Sequence, residues 1–186
     1  MMTDRPAPAN ALNPRDIVGS GWHWTMFKLG MAIVRVGFGL VFLTNGLAKL
    51  PGFENTIPPF QGFLIDRTGA RSILASDTGG HPVGIYRDLI DDVILANWGF
   101  WGPLLTATEL FIGVTLILGV LTPIGALVAT GFALHLNFAN IHRDDKWLWE
   151  YAIEWLPLLG LALMRAGRFW GLDVWLARRF SQWPIT

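Results

Sequence analysis

The residues in this chain best suited to chemistry are Arg35, Glu109, His135, Asn137, Asn140, His142, Glu150 and Glu154. All lie in or beside apolar runs, where a charged or polar group is costly unless it is paired or functional. Arg35 and Glu109 each fall about 12 Å into their runs at 1.5 Å per residue. Counted from opposite faces of a core about 30 Å thick, their depths differ by only roughly 6 Å, within the reach of an arginine side chain. The sequence therefore predicts an Arg35–Glu109 ion pair, which would either fix helix register or serve a site. His135 and His142 are seven residues apart, and Glu150 and Glu154 are four apart, so each pair shares a helical face. Depth places Glu109, His135 and Glu154 in the same half of the molecule. Together with Arg35 they form an intramembrane polar cluster. It can move protons, bind a metal, hold a quinone head group, or satisfy itself as a hydrated patch.

Other patterns narrow the chemistry. No Glu-x-x-His pair is present, which is the mark of a carboxylate di-iron bundle. His135 and His142 share one run and cannot clasp a haem from opposite sides, so neither haem nor metal is expected. No phosphate loop, serine nucleophile elbow or dinucleotide fingerprint occurs, and no catalytic residue is assigned. The 186 residues contain no cysteine, which removes disulfides, thiolate metal sites and Cys-x-x-Cys redox pairs.

The elements that must position these groups are membrane helices. The chain is 52% hydrophobic and 15% charged, against roughly 25% charged for a soluble domain. Its 14 basic and 14 acidic side chains cancel, giving no footprint for nucleic acid. Apolar runs at about 27–50, 101–120, 122–141 and 148–166 predict four transmembrane helices, so the expected fold is an all-α integral membrane four-helix bundle. Residues 1–26 read as a polar tail without the apolar core and cleavage site of a signal peptide. Pro123 fits the first turn of the third helix. The short link before it forces an antiparallel pair. In the long loop 51–100, Ile85, Leu89, Ile90, Val93, Ile94 and Trp98 share a face opposite Asp88, Asp91 and Asp92. That pattern fits an amphipathic helix over 84–98, lying on the membrane or packed on the end of the bundle. A second surface helix is expected over 171–182.

Along the first helix, Gly39, Phe42, Gly46 and Lys49 follow Arg35 at spacings of 4, 3, 4 and 3, forming one seam. Its glycines suit close helix packing. Lys49, at the helix end, is expected to snorkel toward the surface. An even number of spans puts both termini on one side. Arg5, Arg15, Lys28, Arg165, Arg168, Arg178 and Arg179 collect there, which favours cytoplasmic termini. Trp22, Trp24, Trp98, Trp101, Trp147, Trp149, Trp170 and Trp175 sit near helix ends, as in interfacial aromatic belts.

The stretch Arg35-Val-Gly-Phe-Gly39-Leu-Val-Phe42-Leu-Thr-Asn-Gly46-Leu-Ala-Lys49 resembles the opening motif of the DoxX/DoxD family of small membrane proteins. Glu109 with Gly113, Gly119 and Thr122 is similar to that family's second helix. Gly167-Arg168-Phe169 followed by Leu172-Asp173 is similar to the motif that closes its fourth. The resemblance covers roughly 27–50 and 101–175, not the 51–98 insertion. It implies a four-helix bundle in the lipid bilayer of a bacterial inner membrane. It also implies other membrane protein subunits as partners. The resulting expectation is an accessory subunit of a larger redox or energy-converting complex, not catalytic on its own. The alternatives are a quinone-interacting subunit of an oxidoreductase, such as thiosulfate:quinone oxidoreductase, and a small transporter.

Overall fold

The computed structural model describes residues 21–53 and 64–179, and every regular element among them is helical. Most of the expected polar tail, including Arg5 and Arg15, lies outside the described residues, as do Phe180 and Gln182 of the C-terminal surface helix. The long helices are α1 (Trp22–Ala48), α4 (Trp98–Leu118), α5 (Thr122–Ala139) and α6 (Leu148–Leu163). The first three are long and apolar enough to cross a membrane. The fourth has 16 residues and carries Glu150 and Glu154 in its first two turns. Trp22–Met26, assigned above to the tail, belong to α1, because nothing in that stretch breaks a helix before Gly21, whose φ is +73°. Between α1 and α4 stand α2 (Arg67–Gly79) and α3 (Gly84–Asp88), and α3 runs on into a π-helical stretch, Leu89–Leu95. A short 3₁₀ turn, Ala166–Arg168, precedes α7 (Asp173–Arg179).

The helix α2 was not foreseen. Asp66 starts it by accepting the Gly69 N–H at 2.6 Å, an ordinary N-cap. The expected surface helix over 84–98 is also wound differently. An α-helical period would align Ile85, Leu89 and Val93 with the buried face. The π winding instead brings Ile90 and Leu95, five residues apart, onto the protein, and leaves Ile85, Leu89 and Val93 exposed. The segment packs against α2 and α4.

The α1–α4 contact is the most extensive in the molecule, and glycines set its register. A Cβ on Gly39 would meet Ile117 N at 2.9 Å, one on Gly46 would meet Leu110 N at 3.0 Å, and one on Gly113 would meet Leu43 N at 2.6 Å. Those backbones touch because no side chain separates them. The other strong pair is α5–α6. Ala126, Ala129 and Ala133 of α5 and Leu158, Leu161 and Ala162 of α6 form a buried core with Ile112 and Leu116 of α4.

That core occupies one end of the molecule, here called the tail end, where the α4–α5 and α6–α7 links meet. Gly119 ends α4 in the left-handed conformation (φ +64°). The N-cap of α5 is Leu121, which has no side-chain acceptor. Asp173, 1% exposed, supplies one from far along the chain, taking the Leu121 N–H at 2.7 Å and the Thr122 N–H at 3.0 Å. Its own N–H donates to Gly119 O at 2.7 Å. The links are thereby tied together.

Gly113→Val places two methyl groups against the Leu43 backbone and should destabilise the protein by about 1–3 kcal/mol, the usual range for overpacking. Gly37→Ala, with open space around its Cβ, is the control. Thermal unfolding in mild detergent should show a clear drop in Tm for the first and essentially none for the second.

Candidate functional site

At the opposite, cap end the two helix pairs leave a cavity of about 630 Å³. Its walls come from the cap-end halves of α1 (Phe38 to Lys49), α4 (Trp98 to Glu109), α5 (Phe132 to Asn140) and α6 (Glu154, Leu158), and α2 covers it through Ala70, Ile73, Leu74 and Asp77. Most of the lining is aromatic or aliphatic. The polar groups are few: Asn45, Lys49, Asp77, Thr108, Glu109, His135, Asn140 and Glu154.

The register of α1 on α4 determines who meets whom. Gly46 lies opposite Leu110, so Lys49 comes level with Ala107, and α4 continues for nine more residues, roughly 13 Å, beyond it. Lys49 is therefore deep inside the protein and does not snorkel. Its Nζ lies 2.8 Å from Glu109 Oε2, and the two side chains are 2% and 7% exposed. The ammonium donates to Asn45 O at 3.2 Å. Its contact with Oε2 is the short, charge-assisted contact of a buried ion pair.

The expected Arg35–Glu109 pair does not form. The same register places Arg35 twelve residues, roughly 18 Å, from the level of Glu109. Arg35 is 1% exposed at the tail end. Its Nη2 donates to Trp170 O at 3.3 Å, its guanidinium packs against the α-carbons of Gly119 and Gly171, and Asp173 supplies opposing charge. Arg35 thus belongs to the architecture and not to the cavity. The depth estimate failed because it began α1 five residues late and assumed that both helices end at the same level.

The other members of the expected cluster are brought together in part. Glu109, His135 and Glu154 all line the cavity. Glu154 is half-exposed and paired with Lys146 at 2.7 Å. Lys146 also donates to Asn137 Oδ1 at 3.0 Å and sits 4.6 Å over the Tyr151 ring. Asn137 in turn donates to Tyr151 O at 2.9 Å. His142 lies past the end of α5, so it does not share a helical face with His135. The seam residues Gly39 and Gly46 do pack helices, whereas Phe42 and Lys49 line the cavity. Among the described residues no three His, Asp or Glu side chains are placed to hold a metal ion.

The cap is held down by polar ties. Arg67 donates to Lys49 O at 3.1 Å, and Arg71 to Leu95 O at 3.3 Å. Arg143 bridges Asp77 at 3.0 Å and Asp145 at 2.7 Å. That double contact raises the Arg143 pKa and holds the Asp145 carboxyl below the usual carboxylate range, chiefly through their mutual hydrogen bonds. His81, fully buried, accepts the Val83 N–H on Nδ1, so its Nε2 carries the hydrogen donated to Phe138 O at 2.9 Å. Tyr86 packs beside it at 4.7 Å between ring centres. Burial first, and the Asp77 charge second, push the Tyr86 phenol upward.

Lys49 as a partner for Glu109 is the main element that the sequence reading missed. The signal was there in the matching of Gly39 and Gly46 with Gly113, which fixes the register. Comparison with protein-family models, curated proteins and solved structures found no match.

Lys49→Met strands a buried carboxylate and should destabilise the protein by about 3–5 kcal/mol, whereas pairing it with Glu109→Leu should recover most of that loss. Chemical or thermal unfolding of the two single variants and the double variant checks this. Additive losses would mean that the two charges do not interact.

Proposed function

We propose that this chain is a four-helix bundle of the bacterial inner membrane that holds a lipid-soluble molecule with a small polar ring head, of the quinone class, in its cap-end cavity. The observation that carries the reading is the ion pair Lys49–Glu109, buried in the wall of a large apolar cavity. A buried ion pair is a poor source of stability, since desolvation offsets most of its attraction. Its position is explained by a ligand that needs a donor and an acceptor in a dry, lipid-accessible place. Lys49 offers an N–H to a ring carbonyl, and Glu109 accepts from a ring hydroxyl. The aromatic and aliphatic walls suit the ring and its tail.

In this reading α6 is the fourth span, and the apolar residues exposed on α1, α4 and α5 face lipid. Both termini lie in the cytoplasm, and the cap faces the other side. The molecule works as an accessory, quinone-site subunit of a larger membrane redox complex, with the electron carriers on partner subunits. The DoxX/DoxD resemblance supports it, because Gly39, Gly46, Gly113, Gly119, Gly167 and Asp173 are the residues that build the packing.

Single cysteines introduced into the cysteine-free chain test the topology. Asp145→Cys and Arg178→Cys should be labelled by an impermeant maleimide from opposite faces of the membrane. Labelling from one face would remove α6 as a span. Decylubiquinone should bind the purified protein in phosphatidylcholine nanodiscs saturably, read as quenching of tryptophan fluorescence. Leu105→Trp, which narrows the cavity, should weaken the saturable component. Unsaturable quenching, identical in both proteins, would sink the quinone reading.

A further inference from the structure

The net charge of zero conceals a polarised molecule. Among the described residues, the tail end carries Lys28, Arg35, Arg165, Arg168, Arg178 and Arg179 against one acid, Asp173, a net charge of +5. The cap-end half carries six basic and ten acidic side chains, a net charge of −4. Arg35 and Asp173 are buried. Of the other five cations at the tail end, Arg168, Arg178 and Arg179 are exposed, and Lys28 and Arg165 are half-buried. Packing gathers them. Trp24 and Phe27 of α1 meet Phe169 at 6.0 and 5.4 Å between ring centres, which brings the start of α1 against the turn bearing Arg165 and Arg168. Lys28 turns its ammonium back toward Trp24, 5.9 Å from the ring centre. The Leu172 N–H donates to Leu118 O at 3.1 Å and the Asp173 N–H to Gly119 O at 2.7 Å, so α7 starts at the level where the α4 span ends. Leu172, Trp175 and Arg179 stand on its exposed side at helical spacing, with Arg178 exposed next to them. At the end of a span, Leu and Trp suit the boundary between acyl chains and headgroups, and arginines suit the phosphates.

We propose that the tail end is a docking surface for the headgroups of anionic phospholipids, with α7 seated in the interface and Arg178 and Arg179 against lipid phosphates. The proposal goes beyond the cap-end cavity and does not depend on what fills it. Five cations on one surface repel one another, and anionic headgroups in the facing leaflet remove that repulsion. A zwitterionic headgroup also carries a phosphate, but its own ammonium offsets the attraction. Basic side chains clustered beside a span or on an amphipathic helix each strengthen binding to an anionic surface by about fivefold. The cap end, with its excess of acids, attracts no such lipid, so the preference belongs to one end of the molecule.

The test reconstitutes the full chain into vesicles of equimolar phosphatidylglycerol and phosphatidylcholine with matched acyl chains. The protein is then extracted in mild detergent, and mass spectrometry quantifies the lipid retained on each chain. Phosphatidylglycerol should be enriched several-fold over phosphatidylcholine at low salt. The enrichment should vanish in about 1 M salt, where the screening length falls to about 3 Å. Arg178→Gln with Arg179→Gln, both at exposed positions, should lower it several-fold while leaving thermal unfolding and decylubiquinone binding unchanged. Arg178→Lys with Arg179→Lys keeps the charge and should keep most of the enrichment. Retention of the two lipids in their input ratio overturns the proposal. So does an enrichment that the double glutamine variant leaves intact, since the basic residues of α7 would then not be reading the headgroup. Loss of the enrichment in the double lysine variant would show that charge is not what selects the lipid, and overturns it as well.

Discussion

Gly39, Gly46 and Gly113 bring the backbones of α1 and α4 into contact, and the positions of Arg35, Lys49 and Glu109 follow from the register they impose. Sliding one helix past the other by a turn would replace Gly113 with a residue whose Cβ meets the Leu43 backbone. With that register fixed, Lys49 comes within reach of Glu109, and Arg35 falls beneath the links at the far end. Arg35 and Lys49 therefore have separate tasks although their spacing puts them on one helical face. One closes the tail end against Trp170 and Asp173. The other meets a carboxylate in the wall of a cavity.

The molecule is packed at one end and hollow at the other, and side-chain size accounts for both. At the tail end, the alanines of α5 let Leu158 and Leu161 of α6 and Ile112 and Leu116 of α4 close upon it. Asp173 and Gly119 then satisfy the exposed helix termini. Toward the cap end, Phe132, Leu136 and Trp101 stand where the small residues stood, the two pairs separate, and α2 and α3 lie across the opening. The cap is tied by side chains to backbone carbonyls and by Arg143 to Asp77, with little apolar burial of its own beyond Ile90 and Leu95. Segments held this way belong to the less stable part of a protein, as a cover over a ligand site requires.

Three long apolar helices and their approximate extents were legible in the sequence, because apolar runs and the glycine seam are local signals. The cavity residues Glu109, His135 and Glu154 were legible as polar groups in apolar runs. Three features were not. The Lys49–Glu109 pairing depends on where α1 ends relative to α4, and hydropathy places helix ends only to within several residues. The π winding at Leu89–Leu95 breaks the 3.6-residue period on which the face assignment of Ile85, Leu89 and Val93 rested. The capping of α5 by Asp173 crosses half a hundred residues, and no local pattern encodes such a contact. In the first and last cases the missing information was a tertiary distance.

The central claim is that the hollow end holds a specific ring-headed ligand and is not merely filled by lipid tails. The most direct measurement is to purify the protein from its own membrane in mild detergent, extract it with organic solvent, and quantify what it carried by mass spectrometry. The account predicts close to one quinone-class molecule per chain, reduced when Leu105→Trp narrows the cavity. Phospholipid alone, in the proportions of the surrounding membrane and unchanged by Leu105→Trp, would contradict it.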